Sequence, residues 1–429
     1  MRFYTDLHVH SKYSRATSRN LDLEHLALWA QIKGINVIGT GDCIHPVWLK
    51  EIKEKLEPAE DGFFRLKKEY TPIFERDLPA ACRGDVRFML TVEISNIYKR
   101  LDKVRKVHNC LFLPGFEAAD KLQKELGRIG NIASDGRPIL GLDSRDLLEI
   151  TLNTDPLSYL IPAHIWTPWF SALGSKGGFD KMTDCFGDLS GEIFAVETGL
   201  SSDPLMNWRL SQLDQYALVS NSDAHSPPKV AREATIYDTE FSCRGVYDAL
   251  KSDDNKGLVG TVEFFPEEGK YHYDGLRSMN LRMHPKETIA NNGLCPQTGK
   301  PVTIGVLHRV EELADHPEGR KSPKWRPFYS LIPLPEIIGD ARGVGPKTKT
   351  VNAIYFDMLN RLGNELHILL DVPISDIKSV AGPLIAEGVR RARDKEIHIE
   401  PGYDGEYGTI KIFTPKEREV HEDQLTFFG

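Results

Sequence analysis

The stretch that decides the fold is DLHVHSKYS, residues 6–14, which follows directly on the β-prone segment RFYT. Side chains two residues apart on a strand point to the same side. The alternation therefore predicts that Asp6, His8 and His10 share one face at the end of an opening strand. Neutral imidazole and carboxylate are ordinary ligands of zinc, manganese or iron. An isolated pair of histidines is also common at plain surface or core positions, so a metal site needs further ligands elsewhere in the chain.

Composition indicates a soluble globular protein with room for two or three domains: 429 residues, 40% hydrophobic and 27% charged. The sequence has no apolar run of 18 residues and opens on a charged strand, so we expect no membrane partner and a cytoplasmic location. Six cysteines without a CxxC pair fit a reducing compartment. The net charge of −8 disfavours a surface that is basic throughout, but it permits a local basic groove.

From residue 1 to about residue 260, apolar runs end in polar, histidine-rich tips such as INVIGTGDCIH and YALVSNSDAH. Helical segments lie between several of them, for example LDLEHLALWAQIKG, in which Leu21 is preceded by Asn20 as a possible N-cap. This alternation predicts a parallel-strand α/β domain, either a barrel or an open sheet. In both architectures functional groups gather at the carboxyl ends of the strands, which is where the polar tips fall.

The strand tips together supply nine potential metal ligands. They are His8, His10, Asp42, His45, Glu93, His108, His164, Asp223 and His225. Any one of them alone is often just a polar cap of a strand. Nine such groups at successive strand ends predict a multinuclear metal site. Two or three divalent ions, zinc, magnesium or manganese, would activate a water molecule and neutralise charge on attacking and leaving oxygens, which suits hydrolysis of a phosphate ester.

The order of the tips resembles the PHP superfamily of metal-dependent phosphoesterases: HxH, a GD-H segment, Glu, His, His and DxH. The resemblance implies a distorted (β/α)7 barrel with a cleft for two or three metal ions. It also implies three ligand sets: His8, His10, Glu93 and Asp223; Glu93 as a bridge with His108 and His164; and His225 with the Asp42/His45 segment. Glu93 and Asp223 would thus be catalytic.

Two positions depart from the PHP pattern. Arg15 lies where many members have an acid or a histidine, and Cys43 directly follows Asp42 where they tend to have a histidine. The third metal site could therefore be filled by either Asp42 or His45. Guanidinium pairs bidentately with phosphate oxygens, so Arg15 is interpreted as a catalytic phosphate clamp, with a plain surface arginine as the alternative.

Past residue 260 the pattern changes. Residues 275–325 are turn-rich and resemble a small inserted module, and residues 326–429 are largely helical. We therefore expect three domains: a metal-dependent catalytic domain over residues 1–260, a zinc-finger-like module over 275–325 and a C-terminal helical domain over 326–429.

Several segments resemble the endonuclease Q family, and they span nearly the whole chain: DLHVHSKYSRATS, IGTGDCIHP, PAHIWTPWFSALGSKGGFD, SNSDAHSP, GVLHRVEELADHPEG and PGYDGEYG. The resemblance implies a DNA-repair endonuclease acting on damaged double- or single-stranded DNA. It would cut 5′ to uracil, hypoxanthine, xanthine or an abasic site and leave a 3′-hydroxyl and a 5′-phosphate. Two alternatives stay open: a PHP phosphoesterase or exonuclease acting on small phosphate esters or DNA ends, and a nucleic-acid-binding module with structural metals.

The segment IIGDARGVGPKTKTV predicts a helix-hairpin-helix that binds DNA phosphates. Gly343 and Gly345 would let the backbone approach a phosphate, and Lys347 and Lys349 would neutralise it. A plain helical turn is the alternative.

The segment IWTPWFSALGSKGGF is rich in aromatic residues beside a predicted ligand, His164. A flipped base is read by stacking and by its Watson–Crick edge. Trp166, Trp169 and Phe170 are therefore candidates for the walls of a lesion pocket, or else core residues of the barrel. Polar contacts to the base are assigned to Ser201, Ser202 and Asn207.

The endonuclease Q resemblance implies a zinc unit with a CPxCGK knuckle in the middle module, but this chain has CPQTGK with Thr298 in place of the second cysteine. His284, Cys295 and His308 remain as possible ligands. Because structural zinc normally has four N or S donors, we expect little tight structural zinc.

The final segment EDQLTFFG resembles a peptide that binds a sliding clamp, with Phe427 and Phe428 at its end.

Overall fold

A computed structural model describes residues 1–73 and 77–418 of the chain. They form a mixed α/β body followed by a set of helices, which confirms the fold class expected from the sequence. The strands are β1 (Arg2–Asp6), β2 (Val37–Gly39), β3 (Leu56–Pro58), β4 (Phe64–Leu66), β5 (Arg87–Arg100), β6 (Lys103–Leu113), β7 (Ile139–Leu140), β8 (Tyr159–Pro162), β9 (Ala195–Glu197), β10 (Ala217–Val219), β11 (Ala234–Asp238), β12 (Leu258–Glu263), β13 (Asp274–Leu276), β14 (Leu281–Met283), β15 (Phe328–Ser330), β16 (His398–Glu400) and β17 (Thr409–Lys411).

The helices are α1 (Leu23–Lys33), α2 (Pro46–Lys55), α3 (Phe116–Ile129), α4 (Ser144–Leu152), α5 (Met182–Phe186), α6 (Pro204–Asn207), α7 (Cys243–Lys251), α8 (Pro285–Ala290), α9 (Val306–Leu313), α10 (Leu334–Arg342), α11 (Lys349–Leu362), α12 (Glu365–Leu370), α13 (Ile374–Ala381) and α14 (Pro383–Asp394). Within the two described ranges, every helix is too short or too polar to cross a membrane.

The central sheet mixes parallel and antiparallel strands. β1, β2 and β5 run parallel, with Thr5 opposite Val37 and Val37 opposite Arg87. β5 and β6 instead form a long antiparallel hairpin, because only Leu101 and Asp102, both at positive φ, connect them. β6 pairs with β8 and β1 pairs with β11, again antiparallel. The expected parallel strands are found in β1, β2 and β5, and these antiparallel pairs are added to them.

The pair β9–β10 lies beside the carboxyl end of β1. β9 and β10 form a separate parallel pair, and side-chain hydrogen bonds connect the end of β10 to the central sheet. The Leu7 amide donates to Asn221 Oδ1 at 2.7 Å, and the Ser220 amide donates to Thr235 Oγ1 at 3.0 Å. With the contacts of His8 to Glu197 and of His10 to Asp42, these bonds bring the carboxyl ends of β1, β2, β9 and β10 together. The full (β/α)7 barrel stays a prediction.

Helix α1 shows how local sequence sets these elements. Its N-cap is Asp22, whose side chain accepts from the His25 amide at 2.9 Å. The helix therefore begins two residues later than a cap at Asn20 would give. It ends at Gly34, which has the left-handed φ of 96° that glycine adopts at low cost.

The C-terminal helices form two hairpins. α10 and α11 are joined by residues 343–348, and α13 and α14 are joined at Gly382, with α10 packed on α14 and α11 on α13. A buried ion pair between Lys33 Nζ in α1 and Glu365 Oε2 in α12, 2.5 Å apart, ties these helices to the α/β body. Removing one partner would leave an uncompensated buried charge, which typically costs about 3–5 kcal/mol.

The middle module is a small unit around Met283, Cys295 and Val302. The chain returns to it after the C-terminal helices: Tyr403 donates its hydroxyl to Asn280 Oδ1 at 2.9 Å. In addition, β15 pairs with β12 of the central sheet. The three contiguous domain ranges stay a prediction, since these contacts link residues from different ranges.

Candidate metal centre

Two histidines and two carboxylates meet just beyond β1. After β1, Val9 forms a parallel β-bridge with Ala224. The side chains on either side of it, His8 and His10, therefore face the same side. Nε2 of His10 lies 2.9 Å from Asp223 Oδ1 and 3.3 Å from Glu93 Oε2. Nε2 of His8 lies 3.4 Å from the same Glu93 oxygen. The structure thus gathers His8, His10, Glu93 and Asp223 into one cluster.

The other oxygen of Glu93 faces a second set of imidazoles. His108 comes from β6, the partner strand of β5, and His164 follows β8. Oε1 of Glu93 lies 2.5 Å from His108 Nδ1 and 3.2 Å from His164 Nε2. Glu93 is completely buried between the two sets. One carboxylate therefore contacts both, as a bridging ligand would.

The spacing and the bonding of these atoms fit metal ions. Ligand atoms about 2.0–2.1 Å from one ion stand about 2.9–3.4 Å apart in octahedral or tetrahedral geometry, and the distances of the first set run from 2.9 Å to 3.6 Å. Nε2 of His8 and Nδ1 of His108 are buried without a hydrogen bond of acceptable geometry. An unpaired buried polar atom costs about 1–3 kcal/mol, which coordination would offset. The two sets could therefore each hold an ion.

Buried carboxylates orient the two histidines of the HxH pair. Nδ1 of His8 lies 3.0 Å from Glu197 Oε2, and Glu197 also accepts from the His164 amide at 2.9 Å. Nδ1 of His10 lies 3.4 Å from Asp42 Oδ1. A carboxylate on one ring nitrogen fixes the orientation of the ring and turns the other nitrogen toward the metal.

No metal-binding group found in the described residues joins Asp42, His45 and His225, which were predicted to hold a third ion. Asp42 Oδ2 accepts from the amide and hydroxyl of Ser11, at 2.7 Å and 2.6 Å, so the carboxylate anchors the loop after β1. His45 caps α2 by accepting from the Trp48 amide. His225 lies instead against the His10 ring, with the centroids 4.6 Å apart. Asp6 also lies outside the cluster, because its carboxylate accepts from the backbone amides of Ser222 and Ala231.

The electrostatics of the cluster favour positive charge. Burial would raise the pKa of Glu93, but His108, Arg137 and His8 outweigh it and hold that pKa well below 4.5. Burial would lower the pKa of His10, but Asp223, Asp42 and Glu93 raise it well above 6.5. Burial lowers the pKa of His108 to about 4, so this ring is neutral and able to act as a ligand.

Two further residues of the cluster were missed at the sequence level. Glu197 ends β9, so the tip EIFAVETGL carried the same signal as the chosen tips. Arg137 lies in a loop without a recognisable pattern, yet its Nη1 is 3.0 Å from Glu93 Oε2. The predicted clamp, Arg15, is 73% exposed and paired with Asp135 at 3.1 Å.

The candidate base-reading residues divide into buried and accessible ones. Trp166 is buried and donates to the buried Asn207 at 2.8 Å, so both side chains belong to the core in this structure rather than to a pocket wall. Trp169 is 52% exposed. Phe170 lies beside it with its ring 4.8 Å from His108. Ser202 is buried and donates to the Thr198 carbonyl, and Ser201 is half-buried.

The hairpin residues Gly343, Gly345, Lys347 and Lys349 are all exposed. Gly343 has φ 64°, the left-handed turn that ends α10. Thr348 caps α11 through its side chain. DNA binding by this loop stays a prediction.

The three candidate zinc ligands of the middle module have separate structural roles. His284 caps α8 by accepting from the Lys286 amide. Cys295 is buried in the apolar cluster of the module, and His308 Nδ1 lies 2.6 Å from Asp274 Oδ2. No metal-binding group found in the described residues includes these three. The expectation of little structural zinc remains a prediction. The tail residues Phe427 and Phe428 lie outside the described residues.

Comparison with known proteins identifies a family and several relatives that this chain resembles. The family model described as MJ0043 C-terminal domain matches residues 333–396. The uncharacterized protein MJ0043 of Methanocaldococcus jannaschii is 33% identical over 269 residues, which cover 61% of this chain and 33% of that protein. This chain thus spans about a third of the length of that relative.

Two solved structures match over nearly their whole length. The lesion-specific endonuclease PfuEndoQ from Pyrococcus furiosus is 29% identical, with a TM-score of 0.82 over 98% of this chain and 99% of that one. Endonuclease Q in complex with a 27-mer duplex substrate that has an abasic lesion at the active site is 30% identical, with a TM-score of 0.81 over 97% of this chain and 98% of that one. This chain belongs to the endonuclease Q family. Membership explains why the middle module and the C-terminal helices accompany the histidine-rich α/β body in a single chain.

Proposed function

We propose that this endonuclease Q family member is a metal-dependent, lesion-specific DNA endonuclease. The observation that carries the proposal is the buried Glu93 carboxylate, with one oxygen facing His8 and His10 and the other facing His108 and His164. This site lies in a chain that matches a lesion-specific endonuclease over 98% of its length. We further propose that the enzyme cleaves the phosphodiester 5′ to uracil, hypoxanthine, xanthine or an abasic site. The products would carry a 3′-hydroxyl and a 5′-phosphate.

The ligand sets have a defined part in this proposal. His8, His10, Glu93 and Asp223 would hold one divalent ion, and Glu93 would share a second with His108 and His164. When bound, such ions activate a water molecule and neutralise charge on the phosphate oxygens. Glu197 and Asp42 hold the imidazoles of His8 and His10 in place, so little reorganisation is needed on binding.

The surroundings of the cluster supply the remaining parts. Trp169 offers an exposed ring on which an unstacked base can lie, and Phe170 covers one side of His108. The exposed hairpin loop at residues 343–348 offers the amides of Gly345 and Lys347 and the Lys347 side chain to a DNA phosphate.

The test uses short duplexes, labelled at the 5′ end of one strand, that contain a single uracil, hypoxanthine, xanthine or abasic residue. With Mg²⁺, Mn²⁺ or Zn²⁺ we expect one labelled product that ends just before the lesion and has a 3′-hydroxyl that a polymerase can extend. EDTA should abolish cleavage, and the undamaged duplex should remain intact.

Matched variants separate chemistry from folding. E93Q should lose cleavage, because an amide is a poor metal ligand and cannot bridge two ions. E263Q is the control, because Glu263 is a buried carboxylate that accepts from Thr198 and Ser220 rather than from the histidines. Hydrolysis of an aryl phosphate without cleavage of any lesion duplex would instead favour a small-molecule phosphoesterase.

A further inference from the structure

An arginine that no sequence pattern selects faces the centre of the cluster. Nη1 of Arg137 lies 3.0 Å from Glu93 Oε2, the oxygen that also faces His8 and His10. We infer that Arg137 binds the phosphate at which the DNA strand is cut, as a residue that contacts substrate directly. The inference rests on the proposed function and names a residue for that reaction.

The guanidinium of Arg137 has N–H donors that its contact with Glu93 does not use. An arginine side chain carries five N–H donors, and within residues 1–73 and 77–418 Glu93 is the one ion-pair partner of this side chain. Arg15 also has spare donors, but its Nε is paired with Asp135 rather than with Glu93. A phosphate needs two parallel donors for the bidentate contact that arginine provides. Arg137 can supply them without breaking its contact to Glu93.

The two accessible members of the site mark the side from which a phosphate would approach. Side chains of Asp223 and Arg137 are 25% and 26% exposed, whereas Glu93 is completely buried. A DNA strand approaching from solvent meets the carboxylate of Asp223 and the guanidinium of Arg137 first. Electrostatic attraction then favours Arg137 as the group that receives the phosphate.

The loop that carries Arg137 is built tightly onto the candidate metal centre. Asp135 Oδ1 accepts from the backbone amides of both Arg15 and Arg137, each at 3.2 Å. The Gly136 amide donates to the Tyr13 carbonyl at 3.0 Å. Any side chain at position 136 would overlap Asp42 Oδ2, the carboxylate that faces His10. The loop is therefore fixed relative to the cluster before substrate binds, as a preorganised phosphate contact requires.

The experiment measures the binding of the metal-loaded protein to two nicked duplexes that imitate the product. In both, the lesion nucleotide lies directly 3′ to the nick, where its 5′ end carries a phosphate in one duplex and a hydroxyl in the other. A hydrogen-bonded contact to a charged group predicts that the phosphate tightens wild-type binding by about 10- to 100-fold. In R137Q this gain should fall by about tenfold, because only the bound ions still attract the phosphate, while the dissociation constant for the 5′-hydroxyl duplex stays near that of the wild type.

Two variants make the result specific. R137K should retain part of the gain, because lysine keeps the charge but loses the bidentate geometry. R128Q removes the same charge from an exposed position on α3, where Arg128 pairs with Glu125, and should retain the full gain. Metal content and thermal unfolding temperature are measured for each variant to show that the fold and the ions are kept.

A phosphate gain in R137Q equal to that of the wild type overturns the inference, as does a wild type that binds the two duplexes equally. Failure of the wild type to cut any lesion duplex is a separate result, because it contradicts the proposed function itself. The two failures are therefore distinguishable.

Discussion

Glu197 lies 3.0 Å from Nδ1 of His8, and this contact turns the other nitrogen of the ring toward Glu93. The same carboxylate accepts from the His164 amide, so it positions a histidine of each ligand set. It acts through other residues, since His8 and His164 are the groups that face the cluster centre.

Replacing Glu197 by glutamine should weaken metal binding by about 10- to 100-fold, because the neutral amide no longer fixes the imidazole or raises its basicity. Competition of the purified protein with a fluorescent chelator measures this affinity. E263Q serves as the control, since Glu263 is a buried carboxyl group that contacts Thr198 and Ser220 rather than a histidine. Equal metal affinity in E197Q and the wild type would contradict the role given to Glu197.

Substitution G136A should disturb the candidate metal centre by displacing the side chain of Asp42. The new Cβ would overlap Asp42 Oδ2 and Ser14 Oγ, so the carboxylate that faces His10 must move. We expect at least about a tenfold loss of cleavage rate and a loss of about 1–3 kcal/mol in the free energy of unfolding. Single-turnover cleavage and chemical denaturation measure the two effects. G84A is the control, because a Cβ there meets open space. Equal behaviour of the two variants would contradict the overlap of the new Cβ with Asp42.

The sequence predicted much of the centre because strand ends carry a pattern. His8, His10, Glu93, His108, His164 and Asp223 all follow apolar runs, and the structure brings all six together. Glu197 follows the same rule and could have been included. Arg137 could not, because its position depends on how the loop at residues 135–137 packs against Asp42.

Burial explains why other residues have different roles from those expected. Asp42 and His45 also stand at a strand end, but one anchors a loop and the other caps α2. Trp166 and Trp169 are three residues apart in one aromatic segment, yet the first is buried and the second is exposed. A linear pattern shows which residues are near a strand end, and only the tertiary packing decides which of them face the cleft.

Substitution W169A should weaken discrimination between lesion and undamaged DNA more than it changes metal content. Stacking of a base on an aromatic ring contributes about 1–3 kcal/mol, so the preference for a uracil duplex should fall about 10- to 100-fold. The ratio of cleavage rates on uracil and undamaged duplexes measures this preference. Y407A, which removes another exposed aromatic ring, is the control. An unchanged preference in W169A would remove Trp169 from the lesion pocket.

Stability should depend on pH through His272. Burial, with a smaller contribution from His284, lowers the pKa of His272 to about 4, while the unfolded chain titrates near 6.5. Between these values the unfolded state binds the extra proton, so the contribution of the neutral ring is complete above about pH 6.5 and declines as the pH falls toward 4. The loss reaches about 3 kcal/mol. Denaturation at several pH values should show a shallower decline for H272N; parallel curves would rule out this assignment.

The proposed chemistry requires two ions that share Glu93. Anomalous scattering from crystals of the manganese- or zinc-loaded protein tests this directly. We predict two peaks about 3.5–4 Å apart, one beside His8, His10 and Asp223 and the other beside His108 and His164, with the Glu93 carboxylate between them. Crystals that diffract well and contain the metal in solution, yet show no peak beside Glu93, would contradict the central claim.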